Sequence, residues 1–482
     1  MKVLYIVILL IITLPLKAQE VTINGNAATY KGDTLYLHGF TDYLSFTPEI
    51  IASALVDEKG DFMFRFTSAN TRQVYISLEV FKGFMFVEPG GNYTIILPQK
   101  QIKNTEDQLN PFFKQIEFNF SFISLNDNSL NKLTNSFDKQ YSKAVGTILN
   151  QGALAKTGKR KTDSIINNIE QNFKDSDNEY FNDYKYYYYG MLQFMGYKHN
   201  KEDLLNEFFK NKPVKYNNIS YMLFFDEVFS GFFTLPSSLL PIKNIYSSIY
   251  DKSYYQLYKT IQMSKLFTDN QLIELVILKG LKDAYYSESF EKEPIIAVLD
   301  SFILSTKNPD FLRIAENLRT NFTKLVTGYT APPFMLPKPN GKMLKSTDFI
   351  GKFLYIQFFN PLSYTSQQQM EVLKTLKQRI PENFEIVTIF VSKNKADLNK
   401  YLEQHPDYNW NFVFYDNNNQ LLTDYKVKAY PMYYLVNPDG KLILNPAPSP
   451  TEDIEVKYIL LYNDWKTQQI RNQNKNKGIG TN

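Results

Sequence analysis

The chain has 482 residues, of which 44% are apolar, and its formal net charge is +4. This length allows two to four globular domains, and so small a net charge does not favour a nucleic-acid partner. The sequence contains no cysteine, which excludes disulfide bonds, thiolate catalysis and cysteine-based metal sites.

Residues 1–19 have the order of features that is typical of a secretory signal peptide. Lys2 precedes an apolar run over residues 4–14, and Ala18 supplies a small residue near the end. The run is too short to span a hydrocarbon core about 30 Å thick. We therefore expect export to the periplasm, cleavage near Gln19 or Glu20, and no transmembrane segment in the mature chain. A retained membrane anchor is the alternative.

Residues 20–104 are predicted to form an antiparallel β-sandwich or a partly open barrel. Strand-length runs with apolar and β-branched residues are separated by turn sequences, for example KGD at 31–33 and PGGN at 89–92. This spacing of short strands and turns is typical of small β domains.

Residues 105–327 are predicted to be a helical region. Turn dipeptides become rare, and apolar residues recur at spacings of three and four, as at Leu272, Leu275 and Val276. Residues 184–197 are rich in tyrosine and phenylalanine. We interpret these aromatic side chains as packing between helices, with a carbohydrate-binding surface as the alternative.

Residues 328–467 are predicted to form an α/β domain, and residues 468–482 a disordered tail. An apolar strand over 353–359 leads through a short loop into a helix, and further strands are predicted over 384–391 and 410–415. A hairpin over 432–444 follows. The predicted fold class is therefore multidomain α+β.

The C-terminal sequence resembles the TlpA/ResA branch of the thioredoxin-like family. APPF at 331–334, Leu336 and NGK at 340–342 resemble the A-P-x-F-x-L…D-G-K entry of that branch. A gap-free overlay on the W-x-x-W-C-x-x-C motif places Phe359 and Leu362 at the tryptophans. The same overlay places Ser363 and Ser366 at the cysteines.

The N-terminal domain carries a second resemblance. A D-x-x-G-x-F-x-F hairpin at 57–64 and an E-P-G-x-x-Y strand at 88–93 resemble the domain that precedes TlpA-like modules in many Bacteroidetes envelope proteins. The resemblance assigns no chemistry to this domain.

The resemblance implies a redox site that has lost its sulfur. The degenerate motif is Ser363, Tyr364, Thr365 and Ser366, and it is expected to face a cis-proline segment of Tyr430, Pro431 and Met432. Relatives are thiol-disulfide oxidoreductases, and that activity requires a thiolate that neither serine supplies. Gln357 stands where thioredoxins bury an acid. The segment before the proline implies a groove for an extended peptide.

Other chemistry finds little support in the sequence. A serine nucleophile needs a positioned base, and the three histidines are His38, His199 and His405, none of which is expected near the motif. No catalytic residue, metal site or cofactor is predicted. We expect an exported, redox-inactive envelope protein that binds or scaffolds, with a peptide or an envelope protein as partner. The alternatives are a thiol-disulfide oxidoreductase, which the missing cysteines contradict, and a carbohydrate-binding protein.

Overall fold

The structure is a computed structural model, and it describes residues 18–478 except 111–112, 125–128, 152–157, 236–239, 265, 268, 381–382 and 417–418. The expected signal peptide therefore lies almost entirely outside the described residues. The chain divides into two compact units. The first contains Met1–Ile102 and Gln115–Arg319, and the second contains Lys103–Lys114 and Thr320–Asn482.

Two β-sheets form the N-terminal part of the first unit. Their strands are β1 (Gln19–Asn26), β2 (Thr34–Phe40), β3 (Pro48–Leu55), β4 (Asp61–Ser68), β5 (Arg72–Leu78), β6 (Phe81–Val87), β7 (Asn92–Ile96), β8 (Ile116–Asn119) and β9 (Ser121–Phe122). The strand orders are β4-β1-β7-β9 and β3-β2-β5-β6-β8. Alternate side chains of the two sheets share one core, for example Val21 and Ile23 of β1 with Val74 and Ile76 of β5. This arrangement is a sandwich.

The sandwich differs from the prediction in two respects. Its sheets are mixed and not purely antiparallel, because β1 pairs in parallel with β7, and β6 with β8. It also extends to Phe122, beyond the expected boundary at residue 104. Phe118, Phe120 and Phe122 alternate along this segment and pack on the sandwich core, a period-two strand signal inside a region predicted to be helical. The segment Lys103–Lys114, with the short helix α1 (Thr105–Leu109), belongs to the second unit.

Helices account for most of the remaining described residues of the first unit, and the last helix continues past the end of the unit at Arg319; this confirms the predicted helical middle of the chain. They are α2 (Leu130–Gln151), α3 (Lys159–Glu170), α4 (Glu179–Gly196), α5 (Lys201–Phe208), α6 (Ile219–Val228), α7 (Ile242–Tyr250), α8 (Tyr254–Met263), α9 (Asn270–Tyr286), α10 (Lys292–Ser305) and α11 (Pro309–Thr323). Several begin at a side chain that accepts a backbone N–H of the first turn, such as Asn178, Asn218 and Asp269. These caps satisfy donors that a helix leaves unpaired.

The second unit is the predicted α/β domain. It contains β10 (Met335–Pro337), β11 (Met343–Lys345), β12 (Phe353–Phe359), α12 (Tyr364–Arg379), β13 (Phe384–Phe390), α13 (Lys395–Gln404), β14 (Asn411–Phe414), α14 (Asn419–Asp424), β15 (Met432–Val436), β16 (Leu442–Leu444) and α15 (Ile454–Gly478). A five-stranded sheet has the order β14-β13-β12-β15-β16, and β10 pairs with β11. β12, β13 and β14 are parallel, whereas β15 is antiparallel to β12.

Strand β12 is the centre of this sheet and is buried along its whole length. Phe353, Tyr355 and Phe359 contribute to the core on the side of α12 and α15. Leu354 and Ile356 contribute to the core on the opposite side. Burial on both faces explains why the strand reads as a continuous apolar run in the sequence.

The C-terminal end of the chain differs from the expected disordered tail. Helix α15 continues to Gly478, so that residues 468–478 are helical. The segment is rich in Asn, Gln and Lys, a composition that suggested disorder. Gln and Lys are also good helix formers, and a helix that packs at its N-terminal end can continue through them.

Candidate functional site

The register of the central strands brings the two predicted site segments to one edge of the sheet. Phe358 of β12 lies opposite Met432 of β15 in an antiparallel pair. The loop that follows β12 therefore starts where the loop that precedes β15 ends. The first loop leads into α12 through Ser363, and the second loop contains Pro431.

The loop after β12 is held by Asn360, which is buried. Its carbonyl accepts the N–H of Ser363 at 3.0 Å, and its side-chain oxygen accepts the N–H of Leu362 at 2.9 Å. These two bonds stabilise a turn that places Ser363 immediately before the first residue of α12. The next two motif residues, Tyr364 and Thr365, are exposed to solvent.

Ser363 connects the two segments of the site. Its hydroxyl donates a hydrogen bond to the carbonyl of Tyr430 at 2.8 Å and accepts the N–H of Ser366 at 3.3 Å. The second bond makes Ser363 the N-cap of α12. The position that the overlay assigns to the first cysteine therefore contacts the segment before Pro431 directly.

Ser366 has a different environment. It is fully buried in the first turn of α12, and its Oγ has no hydrogen-bond partner among the described residues. The structure thus brings Ser363 and Tyr430 into contact and gives Ser366 a position in the interior.

The segment before β15 has the expected backbone form, since the Tyr430–Pro431 peptide bond is cis. Tyr430 and Met432 are half-buried. Burial raises the pKa of the Tyr430 hydroxyl to about 12. The Tyr430 N–H makes no hydrogen bond within the described part of the chain, and its carbonyl accepts only the Ser363 hydroxyl.

Gln357 is the centre of a network of buried and half-buried polar side chains. Gln357 of β12 donates to the hydroxyl of Tyr433 at 3.0 Å and accepts from the hydroxyl of Thr388 at 2.7 Å. Trp410 Nε1 donates to Thr388 at 2.9 Å, and Tyr433 donates to Gln369 of α12 at 2.7 Å. Every polar atom of the Gln357 amide is therefore engaged with at least one partner.

The sequence indicated Gln357 alone, as the residue at the position of the buried acid in thioredoxins. Its two partners, Thr388 and Tyr433, and their own partners Trp410 and Gln369 are separated from Gln357 along the chain by 12 to 76 residues, and no local spacing marks them as a group. A polar residue within each apolar strand run, Gln357 in β12 and Thr388 in β13, is the one signal available.

Among the described residues, no side-chain base is hydrogen-bonded to the Ser363 hydroxyl. The hydroxyl of Ser363 bonds to a carbonyl and to a backbone N–H, neither of which can accept its proton as a base. His405 lies at the end of α13, where its Nδ1 contacts the carbonyl of Tyr401 at 2.8 Å and its ring stacks on that residue and on Tyr408.

The aromatic residues of α4 pack within the helical region. Tyr184, Tyr187 and Tyr189 are buried, and Tyr186 and Tyr188 are half-buried. They contact other aromatic rings, as Tyr187 does with Tyr221 at 4.9 Å between ring centroids. These five tyrosines of α4 therefore pack in helix interfaces.

Two further classes of feature are absent from the part of the chain that the structure describes. None of its helices combines the length and the apolar character needed to cross a membrane. No group of three or more His, Asp or Glu side chains converges there in a way that would hold a metal ion.

The parallel β12-β13-β14 set, the antiparallel β15-β16 pair and the cis-proline segment beside the start of α12 define a thioredoxin-like fold. Residues 351–442 match a family model described as thioredoxin-like. The chain therefore contains a thioredoxin-like domain, as the resemblance implied, and carries serine where the overlay expects both cysteines.

The relatives of this domain are described as thiol-disulfide oxidoreductases. The chain is 27% identical over 142 residues to the thiol-disulfide oxidoreductase ResA of Bacillus subtilis (strain 168), covering 29% of this chain and 78% of that protein. It is 26% identical over 131 residues to ResA of Geobacillus thermodenitrificans (strain NG80-2), covering 27% and 74%.

Similar solved structures include the thioredoxin domain of a thiol-disulfide oxidoreductase from Bacteroides vulgatus, with 27% identity and a TM-score of 0.23. That match covers 25% of this chain and 86% of the other. A thiol:disulfide interchange protein from Bacteroides sp. has 22% identity and a TM-score of 0.23, covering 26% of this chain and 85% of the other.

Proposed function

We propose that this chain is an exported, redox-inactive thioredoxin-like protein of the cell envelope, and that it binds an extended polypeptide beside Pro431. Two observations together support the proposal. The chain contains no cysteine, and the backbone of the loop before α12 still lies beside the segment that contains Pro431. The Ser363 hydroxyl bonds to the Tyr430 carbonyl at 2.8 Å, next to the cis-proline.

The loss of redox activity follows from the chemistry of disulfide exchange. A thiolate attacks one sulfur of the disulfide, and a second thiol resolves the mixed disulfide that results. A serine hydroxyl at position 363 or 366 forms no such intermediate. We therefore do not assign to this chain the thiol-disulfide oxidoreductase activity for which the ResA relatives are named.

The binding role rests on the free polar groups of the Tyr430 backbone. The N–H of Tyr430 is unpaired within the described residues, and its carbonyl retains one lone pair beside the bond from Ser363. An extended peptide pairs with such an edge through main-chain hydrogen bonds, which need no thiol. Leu362 and Tyr364, 51% and 73% exposed, provide apolar contact area beside it.

Export is the part of the proposal that rests on sequence alone. The order of Lys2, the apolar run over residues 4–14 and Ala18 is that of a signal peptide. Mass spectrometry of protein purified from the periplasm should give an N-terminus near Gln19 or Glu20. A mature protein that still carries Met1 would contradict export by cleavage.

The redox part is tested by insulin reduction in the presence of dithiothreitol. The protein should give the same rate as buffer, because it cannot relay electrons through a thiol pair. A rate above that of buffer would overturn the assignment.

The binding part is tested with a photoreactive amino acid at Tyr364, introduced into the full chain and activated in the periplasm. We expect one recurrent foreign polypeptide in the crosslinked products. The matched control replaces Tyr255 of α8, which is similarly exposed, and should not give that product. Crosslinks that join only residues of the same chain would refute a peptide partner at this site.

A further inference from the structure

A polar cavity of about 930 Å³ lies in the helical region, among α3, the C-terminal end of α4 and α5. Ile166 is the one aliphatic side chain among the residues that line it. Four amide side chains line the cavity: Asn167, Gln193, Asn200 and Asn206. An amide offers two donors and an acceptor with two lone pairs, so the wall presents both kinds of group to a ligand.

The charges of this wall nearly cancel. Its carboxylates are Asp163, Asp203 and Glu207, and its ammonium groups are Lys159 and Lys198. Lys198 forms an ion pair with Glu207. The cavity therefore lacks the excess of positive charge that a phosphate or a carboxylate ligand would need, and it holds no metal-binding group of three among the described residues.

Gln193 leaves one hydrogen bond unmade. Its Oε1 is buried and has no partner among the described residues, although the residue lines the cavity. A buried acceptor without a partner is destabilising, so a ligand that supplies a donor gains from it. Because Gln193 lines the cavity, a ligand hydroxyl that reaches this amide could donate to the oxygen.

Tyr197 supplies an aromatic ring at the same wall. Its hydroxyl donates to Asp163 at 3.2 Å, which fixes the ring, and burial together with this carboxylate raises the pKa of the phenol to about 12. Asp203 is exposed and makes no ion pair or hydrogen bond within the described part of the chain. The wall of the cavity thus contains both the hydrogen-bonded Tyr197 ring and the Asp203 carboxylate as a free acceptor.

We propose that this cavity binds an uncharged polyhydroxylated ligand, a short oligosaccharide. Amides and carboxylates pair with adjacent hydroxyl groups, the unpaired Gln193 acceptor gains a donor, and the Tyr197 ring covers the apolar face of a sugar. The cavity lies in the first unit and the peptide site in the second, so that failure of either proposal leaves the other unchanged.

The test uses isothermal titration of the mature full-length protein with maltotetraose, cellotetraose, chitotetraose and mannotetraose. We expect at least one of them to bind with a dissociation constant below about 1 mM. In the same complex, amide hydrogen exchange should slow in residues 197–206, which border the cavity. Absence of binding by all four, or slowed exchange confined to other segments, would overturn the proposal.

Two variants localise the effect. Gln193→Leu removes the amide and Asp203→Asn removes the carboxylate, and each should weaken binding by about three- to tenfold, the loss of one hydrogen bond. Gln256→Leu on exposed α8 is the matched control and should bind as the parent does. Unchanged affinity in both cavity variants would overturn the assignment.

Inorganic phosphate serves as the anionic probe. It should not compete with the bound oligosaccharide, because the charges of the wall nearly cancel. Displacement of the sugar by phosphate at similar concentration would show that the cavity selects anions and would refute the proposal of a neutral ligand.

Discussion

Ser363 and Ser366 are one helical turn apart but differ in how their hydroxyls are satisfied. Ser363 donates to Tyr430 and accepts the N–H of Ser366, whereas the Ser366 hydroxyl is buried without a partner. A buried hydroxyl without a partner is costly, while a thiol behaves as a small apolar group with weak hydrogen bonding. The interior position would thus accept sulfur more readily than oxygen.

The first prediction follows from this geometry. The double variant Ser363→Cys with Ser366→Cys should form an intramolecular disulfide under oxidising conditions without unfolding the domain, because the Ser363 side chain already contacts the backbone N–H of Ser366 in the first turn of α12. Thiol titration should find no free thiol, and the intact mass should fall by two hydrogens.

The control for this prediction is the double variant Ser363→Cys with Thr365→Cys. Residues two apart in a helix do not face each other, so this pair should keep its thiols as a monomer. Two persistent free thiols in the 363/366 pair would show that the overlay on the redox motif is wrong.

The second prediction concerns Gln357. Gln357→Leu should lower the free energy of unfolding by about 1 to 3 kcal/mol, since the buried Thr388 hydroxyl loses its acceptor, whereas the Tyr433 hydroxyl still donates to Gln369. Urea denaturation measures the change. Gln368→Leu, on the exposed side of α12, is the control and should stay within about 0.5 kcal/mol of the parent. An equal effect in both variants would contradict a role for the buried network.

The sequence predicts the positions of the site residues better than it predicts their contacts. The overlay on one strand-loop-helix unit singled out Ser363 and Ser366, and the Tyr-Pro pair before the hairpin singled out Pro431. The bond from Ser363 to the carbonyl of Tyr430 joins residues 67 positions apart, and it depends on the register of β12 and β15. No local pattern encodes that register.

Helix α2 contributes a titratable group to the packing of the helical region. Asp138 accepts a hydrogen bond from Tyr184 of α4 at 2.9 Å. Burial raises the pKa of the Asp138 carboxyl from 3.8 to about 6, although hydrogen bonds from Tyr184 and Asn119 act in the opposite direction. Ionisation of this buried carboxyl is therefore expected to destabilise the folded protein where α2 packs on α4.

The third prediction is a pH dependence at this contact. Because the folded state holds the proton more tightly than the unfolded chain, stability should fall as pH rises from about 4 to about 6, and the cost should stay constant above that range. Asp138→Asn should remove it, so that the variant is more stable than the parent at pH 7 by at most about 3 kcal/mol. The difference should shrink towards pH 4.

Denaturation with urea at pH 4 and pH 7 measures this difference. The control is Asp175→Asn, an exposed position in the same region, which should show little change at either pH. A stabilisation by Asp138→Asn that is the same at both pH values would indicate a cause other than titration of this carboxyl.

Helices and strands were predicted well where the hydrophobic periodicity is uniform. They were predicted poorly where the prediction relied on amino-acid composition instead. Strand β12 is a continuous apolar run, and the structure buries it on both faces. The short strands β8 and β9 were missed because a four-residue and a two-residue strand give too few repeats to stand out. The helix over 468–478 was missed because its polar composition was read as disorder.

At the scale of the whole molecule, the two compact units are not continuous in sequence. Lys103–Lys114 belongs to the second unit although the chain on both sides of it belongs to the first. The sequence pattern predicted consecutive domains, because a change in composition and periodicity along the chain marks a domain boundary. Such a change does not show that a short segment packs on a different domain. Such a segment is recognised only from contacts between distant residues.

The last prediction tests whether the two units unfold separately. Chains with more than one domain commonly depart from two-state unfolding, since each hydrophobic core cooperates within itself. Calorimetry of the mature protein should resolve two transitions. Gln357→Leu should lower the midpoint of one of them, by about 2 to 4 °C per kcal/mol lost in a unit of about 150 to 250 residues. Asp138→Asn at pH 7 should raise the midpoint of the other transition and leave the first unchanged. A single transition that both variants shift would mean that the two units unfold as one cooperative body.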